Sequence, residues 1–255
     1  MFAAKACVAL ALLCGGVATY RLLDGYVRSA EYFAITTLEV RGTVRLEDAD
    51  VCAAAGLTLG ANVFEHTAGE VKARLERHPW IARASVERRL PGRFSIELVE
   101  HLPVVALATE AGAYLVSDEG DVFKEVEQGD PVDLPVLTGL SPARIREGVL
   151  LDVVTLLGEY EASGLDRREA IDEIHTEDDG GVTLLTGGDG MTVRLGRAPY
   201  RSKLRRLRQV LERLEGSGAR AAYIYMDNVR RRDRVTVRLR ELPEAPPAPA
   251  PASAT

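Results

Sequence analysis

Cysteine is scarce: of three in 255 residues, Cys7 and Cys14 sit in an N-terminal apolar segment and only Cys52 falls in the remainder. One cysteine in the folded part excludes a disulfide framework, and a chain of this length can bury a core without one. Cys52 reads as a small buried hydrophobe. Basic excess is missing too. A net charge of -6 leaves no domain-wide positive field to neutralise phosphates, which excludes a general nucleic-acid binder. Histidines number four, His66, His78, His101 and His175, and none stands at metal-ligand spacing from a cysteine or another histidine. Glu177-Asp178-Asp179 lacks the alternating oxygen ligands of a calcium loop and is expected to be a solvated turn. Gly187-Gly188-Asp189-Gly190 is followed by neither the lysine of a phosphate loop nor a dinucleotide fingerprint. No Ser, His and Asp arrangement marks a nucleophile. We therefore expect no catalytic residue, no metal, no cofactor and no small-molecule substrate.

Long apolar runs are confined to the start of the chain. Ala6 to Tyr20 is uncharged and mostly apolar, and counting from Phe2 gives nearly the 20 residues that cross a bilayer, interrupted only by Lys5. That lysine can snorkel to the interface. A cleavable signal peptide ending near Gly16-Val17-Ala18 is the competing reading. Lys5 lies on one side of the run and Arg21 and Arg28 on the other, so the positive-inside count does not choose a topology.

The most informative stretch is His78-Pro79-Trp80-Ile81, which holds the one tryptophan. Pro79 cannot continue a helix and biases His78 away from helical geometry, so the preceding periodic segment stops there. Ala82, Ala84 and Val86 then alternate with polar residues, Pro91-Gly92 makes a turn, and Phe94, Ile96 and Leu98 restart the alternation. Upstream, Leu38 and Val40 read as a strand that exits at Gly42, and Leu46, Val51, Ala54 and Ala55 line a short helix that Gly56 terminates. Thr67 with Glu70 makes a capping box that opens a second helix burying Val71 and Leu75. The order is strand, helix, helix, strand, strand. Trp80 is expected as a core residue where helix meets hairpin.

After Pro103 a larger strand-rich region begins. Tyr114 to Val116 and Val122-Phe123 flank the turn Ser117-Asp118-Glu119-Gly120, and Leu134 to Gly139 is extended. Ser141-Pro142 opens one helix, with Ile145, Val149, Val153, Leu156, Leu157 and Tyr160 on one face and Ser163-Gly164 at its end. Strands around 171–174, 182–185 and 191–195 form a meander. A second helix from Tyr200 to about Leu214 carries Leu204, Leu207, Leu211 and Leu214 on one stripe, ringed by Arg201, Lys203, Arg205, Arg206 and Arg208. That ring is either a solvated face or a basic surface for lipid headgroups or an acidic partner. Strands at Tyr223 to Met226 and Val235 to Leu239 close the region, and the Pro/Ala-rich end is expected to be disordered.

The succession V-R-G at 40–42, G-A-N-V-F at 60–64, H-P-W-I at 78–81, L-P-G-R at 90–93 and E-H-L-P-V at 100–104 resembles a POTRA domain of the FtsQ/DivIB cell-division family. Y-L-V-S-D-E-G-D-V-F at 114–123, L-P-V-L-T-G at 134–139, V-R-L-G at 193–196 and R-V-T-V-R at 234–238 are similar to the beta domain that follows it. The fold class expected is α+β: a single N-terminal transmembrane helix, a POTRA domain (β-α-α-β-β), then a mixed strand-rich beta domain with two helices. The bounds are 1–28 for the anchor, 33–103 for the POTRA domain, 104–242 for the beta domain and 243–255 for the tail. Tyr225-Met226-Asp227-Asn228 departs from the aspartate, leucine and arginine of many members.

The resemblance implies a bitopic inner-membrane scaffold of the division complex. Its bulk is then expected in the periplasm, enriched at the septum. The resemblance further implies that it binds small coiled-coil division proteins of the FtsB/DivIC and FtsL type and links them to septal peptidoglycan synthesis, without a reaction of its own. The partner-binding residues expected are Arg234, Val235, Thr236, Val237, Arg238 and Leu239, with Val235, Val237 and Leu239 toward the core and Arg234, Thr236, Arg238 and Arg240 outward. A terminal strand is a plausible sheet edge, and Thr236 is expected to offer one of its backbone donors to a partner strand. Two other readings stay open: a POTRA-containing outer-membrane assembly or secretion component, and a membrane-tethered envelope enzyme. The first needs a C-terminal barrel of tilted strands where the helices at 142–162 and 200–214 are expected.

Overall fold

The computed structural model describes residues 12, 13, 15–21, 25, 26, 30–130, 133–146, 148–228 and 234–240. Most of the expected anchor, the arginine-rich turn at 229–233 and the expected tail at 243–255 lie outside the described residues. Among the described residues no helix is long and apolar enough to cross a membrane. The chain divides into two compact units, Met1–Leu102 and Pro103–Thr255.

In the first unit, β1 (Thr37–Arg41), α1 (Asp48–Ala55), α2 (Ala68–Leu75), β2 (Ile81–Arg89) and β3 (Arg93–Glu100) follow in the expected order. Helix α1 has Asp48 and Asp50 in its first turn, where the helix dipole favours acids, and ends at Gly56 with φ of 67°. Helix α2 opens with the Thr67 and Glu70 capping box, both hydrogen bonds being formed. The sheet order is β1-β3-β2, with β1 parallel and β2 antiparallel to β3. Val51, Ala55, Val71 and Leu75 from the helices pack on Ile81, Ala84, Phe94, Ile96 and Leu98. Burying a side chain the size of Phe94 is worth roughly 1.5–3 kcal/mol.

Two details depart from simple alternation. The β2 register shifts between Ile81 and Arg83, and this bulge turns Ile81 as well as Ala84 into the core while Ala82 stays half-buried. Trp80 is buried, at 7% exposure, yet stands outside the main apolar cluster. The Arg45 guanidinium covers its ring at 4.3 Å. Arg45 is held there because one Glu100 carboxylate accepts the N–H groups of Val44, Arg45 and Leu46 at 2.9 to 3.1 Å.

The second unit contains β4 (Pro103–Thr109), β5 (Gly112–Ser117), β6 (Val122–Glu125), β7 (Val136–Thr138), α3 (Pro142–Arg146), α4 (Val149–Ala162), β8 (Ile171–Thr176), β9 (Val182–Thr186), β10 (Met191–Gly196), α5 (Arg201–Ser217), β11 (Ala221–Tyr225) and β12 (Thr236–Leu239). Its nine strands run β12-β11-β10-β9-β8-β7-β4-β5-β6. β4-β5-β6 and β8-β9-β10 are antiparallel groups. β7 joins them through parallel pairings to β4 and β8, and β11 pairs parallel to β10 across the α5 crossover. The buried stripes Val153, Leu156, Tyr160 and Leu204, Leu207, Leu211 cover a sheet face built from residues such as Val105, Leu137, Ile174, Leu184, Val193 and Ile224.

The single helix expected at 142–162 is two. Gly148 takes φ of 82°, outside helical geometry, so α3 ends and α4 restarts, and Leu150 rather than Val149 enters the core. Gly187–Gly190, expected as a loop, is one helical turn. The second unit therefore has more helical segments than the two expected. Inside it, the buried Tyr160 hydroxyl donates to the Glu169 carbonyl at 2.7 Å, and burial pushes its pKa far up.

Candidate functional site: the open edges of the large sheet

An open sheet presents backbone donors and acceptors at its edges, and each edge of the nine-stranded sheet carries a different charge. β6 forms one edge. Residues 118–130 hold six acids, Asp118, Glu119, Asp121, Glu125, Glu127 and Asp130, against Lys124 alone. Lys124 is consumed locally, donating to Asp130 at 2.7 Å and Glu127 at 2.9 Å. Burial pulls its ammonium pKa down, but these bonds outweigh that and leave it above the ordinary value. Buried Ser117 ties the adjoining turn, its hydroxyl accepting from the N–H groups of Glu119 and Asp121. The result is an acidic, pinned edge.

β12 forms the other edge, paired antiparallel to β11 in the register Tyr225↔Thr236, Ile224↔Val237 and Tyr223↔Arg238. Arg234, Thr236, Arg238 and Arg240 are exposed, while Val235 and Val237 are half-buried against the core. Arg238 lies 6.0 Å over the Tyr223 ring. Leu239 departs from expectation, at 52% exposure. The cause is a bulge on β11, where the register steps from Tyr223↔Arg238 to Ala221↔Leu239, so Leu239 meets only a methyl group at the sheet rim.

The backbone direction also differs from expectation. The Arg240 N–H donates to the Arg220 carbonyl at 2.8 Å. Alternation along an extended strand then turns the peptide groups of Arg238 and Thr236 toward β11 and those of Val237 and Leu239 away from it. Thr236 is thus engaged in the sheet. The outward donors belong to Val237 and Leu239.

Beside the C-terminal end of β11 lies a cleft of about 620 Å³ lined by Arg197, Pro199, Lys203, Arg206, Met226 and Asp227, among others. Its ammonium is already engaged: Lys203 donates to the carbonyls of Leu195 and Arg197 at 2.7 Å and faces Asp227 at 3.8 Å. This is a scaffold for the β10 to α5 connection. Arg194 fills the Glu177 to Asp179 turn, 3.7 Å from Glu177 and 3.9 Å from Asp179.

One polar cluster escaped the sequence because parallel pairing creates it. Thr138 stands opposite His175 on β7 and β8, with Glu173 two residues away. The Thr138 hydroxyl donates to Glu173 at 2.6 Å and contacts His175 Nδ1 at 2.8 Å. A hydroxyl has one proton, so with Glu173 receiving it Nδ1–H must donate to Thr138. This runs opposite to an activated nucleophile, whose proton passes to the imidazole while the carboxylate orients that ring. The four histidines do not come together: His66 meets Arg74 and His78 accepts from the Trp80 N–H, both at 3.3 Å. No group of His, Cys, Asp and Glu among the described residues is arranged to hold a metal.

A βααββ unit followed by a larger mixed sheet with one acidic and one basic edge is the architecture of a POTRA-bearing protein. Family models agree: residues 33–101 match the FtsQ-type POTRA domain and residues 106–227 match the C-terminal domain of the cell division protein FtsQ/DivIB. The cell division protein FtsQ of Anaeromyxobacter sp. is 36% identical over 91% of this chain and 79% of its own length. That of Myxococcus fulvus is 32% identical over 89% and 80%. The major extracytoplasmic domain of the trans isomer of DivIB from Geobacillus stearothermophilus aligns at 22% identity and a TM-score of 0.32, covering 46% of this chain and 96% of that one. The chain belongs to the FtsQ/DivIB family of cell division proteins.

Proposed function

We propose that this protein is a bitopic inner-membrane scaffold of the division complex, with residues 2–20 retained as its span and both units in the periplasm at the septum. It carries out no reaction. Its β12 edge takes up an extended segment of a small coiled-coil division protein of the FtsB/DivIC and FtsL type, and so connects those proteins to septal peptidoglycan synthesis. The observation that supports this best is the β12 edge itself: outward peptide groups at Val237 and Leu239, flanked by three exposed arginines, suit strand addition by an acidic segment. The acidic β6 edge suits such a segment poorly.

The test is recovery of the two coiled-coil proteins by the full chain from detergent-solubilised membranes. Leu239→Pro removes an outward donor at an exposed position, which an edge strand tolerates, and should abolish or strongly reduce recovery with unchanged circular dichroism. Thr236→Pro should instead break the β11 pairing and lower thermal stability. Arg234→Glu with Arg238→Glu should slow association and flatten its salt dependence. Wild-type recovery by folded Leu239→Pro and by the double arginine variant would place the partner elsewhere.

A further inference from the structure

The first unit has an exposed apolar end opposite the end that Glu100 ties. Three backbone segments meet there. The Ile35 N–H donates to the Ala61 carbonyl at 2.7 Å, the Val63 N–H to the Phe33 carbonyl at 2.8 Å, and the Thr36 N–H to the Gly92 carbonyl at 2.8 Å. Gly92 is required, because a Cβ at that position would collide with the Ala34 carbonyl. Each segment leaves one large apolar side chain in solvent: Tyr32 at 72%, Leu59 at 66% and Leu90 at 60% exposure. Tyr32 stacks edge to face on Phe33, and Phe33 on Phe64, with centroids 5.1 and 5.2 Å apart, and the Arg88 guanidinium lies 5.0 Å from the Phe64 ring. An aromatic cluster rimmed by a cation whose stem covers apolar surface has the amphipathic character of a bilayer interface.

The chain itself identifies the occupant. The apolar run ends at Tyr20, and residues 21–31 reach at most about 40 Å even when fully extended. Tyr20, Tyr26 and Tyr32 recur at six-residue intervals across this connection, each at least 70% exposed. Tyrosine is enriched where a chain leaves a membrane, because its ring is apolar and its hydroxyl stays wet. We propose that Tyr32, Leu59 and Leu90 form a lipid-contacting surface that seats this end of the POTRA unit in the headgroup region of the bilayer. This rests on the reading of residues 2–20 as a retained span.

The experiment uses the full chain reconstituted in phosphatidylcholine vesicles with and without lipids brominated near the headgroup. Tryptophan is introduced one position at a time as Tyr32→Trp, Leu59→Trp and Leu90→Trp. The control is Val44→Trp, since Val44 is 92% exposed and bonded to Glu100 at the far end of β3, about 24 Å away along that strand. Buried Trp80 supplies a constant background whose wavelength reports that each variant is folded. Brominated lipid should remove the added emission, already blue-shifted, at positions 32, 59 and 90, and leave that at 44 intact. No loss at Leu59→Trp and Leu90→Trp, or equal loss at Val44→Trp, overturns the proposed surface. Alkaline carbonate extraction of the wild-type chain separates the two readings. A chain retained in the pellet but unquenched removes the lipid surface alone, whereas a chain washed into the supernatant removes the span with it.

Discussion

The first unit covers three strands with two eight-residue helices, and the second covers nine strands with principal helices of 14 and 17 residues. The short helix α2 is fastened by side-chain capping on both sides of its first turn, whereas α4 and α5 open on Gly148 and Tyr200 with no side-chain cap. An isolated eight-residue helix is too short to persist in water, so local hydrogen bonds matter to it. A 17-residue helix with Leu204, Leu207 and Leu211 buried is held by the sheet beneath it. Helix α2 leans on its capped end, whereas α1 has no side-chain cap at its start and α4 and α5 lean on their buried faces.

The largest expected effect tests whether the units are separate. Trp80→Ala removes a ring that supports Arg45 and, through it, the Glu100 network, and should cost roughly 3–5 kcal/mol. Hydrogen exchange should show residues 30–101 losing protection while 103–240 keep theirs. Equal loss in both units would erase the comparison.

Leu204→Ala is the counterpart in the second unit, expected to cost about 2–5 kcal/mol because Leu204 is fully buried in the large core. Its exchange pattern should be the reverse. If it left the midpoint of denaturant unfolding unchanged, the buried stripe of α5 would not be what holds that helix.

The smallest effect sharpens the contrast in capping. Thr67→Ala should cost about 1 kcal/mol, seen as a fall in the melting temperature of the first unit only. Its partner gives this cap a pH dependence. The hydrogen bond from the Thr67 N–H, chiefly, holds the exposed Glu70 carboxyl below its usual pKa. A depressed folded pKa contributes stability above the unfolded value of about 4.3, and that contribution fades as pH falls through the folded value. Acid unfolding of Glu70→Gln should lack this component, and an identical pH profile for both proteins would show the cap to be energetically silent.

Much of the first unit was legible because its signals are local. Thr67 and Glu70 are three residues apart, and Phe94, Ile96 and Leu98 alternate without interruption. What escaped was the bulge at Ala82, because an inserted alanine looks like one more small residue in an alternating run. In the second unit β4 was not anticipated as a strand: Val104-Val105-Ala106-Leu107-Ala108 has no polar alternation, and no residue from 103 to 109 is exposed. Gly148 hid inside an apolar period that continues across it from Ile145 to Tyr160. At the candidate site the side-chain alternation of β12 was legible from Arg234 to Arg238, but the exposure of Leu239 and the direction of the peptide groups were not. Those depend on a bulge in β11, the neighbouring strand, and on strand order, which no local pattern carries. The Thr138, Glu173 and His175 cluster depends on parallel pairing in the same way.

The brevity of β7 has a mechanical consequence. In the nine-stranded sheet the antiparallel groups β4-β5-β6 and β8-β9-β10 are stitched by the three residues of β7, and β7 meets β4 through only two residue pairs, Ala106↔Val136 and Leu107↔Leu137. Tension applied across the sheet at its β12 margin passes through the long ladders β8-β9 and β9-β10 before it reaches this seam. A row of rungs parts at its fewest rungs. Under load the seam would be the fuse of the second unit: β4-β5-β6 would separate from the remainder as a preformed piece, while the strands nearest β12 stayed zipped.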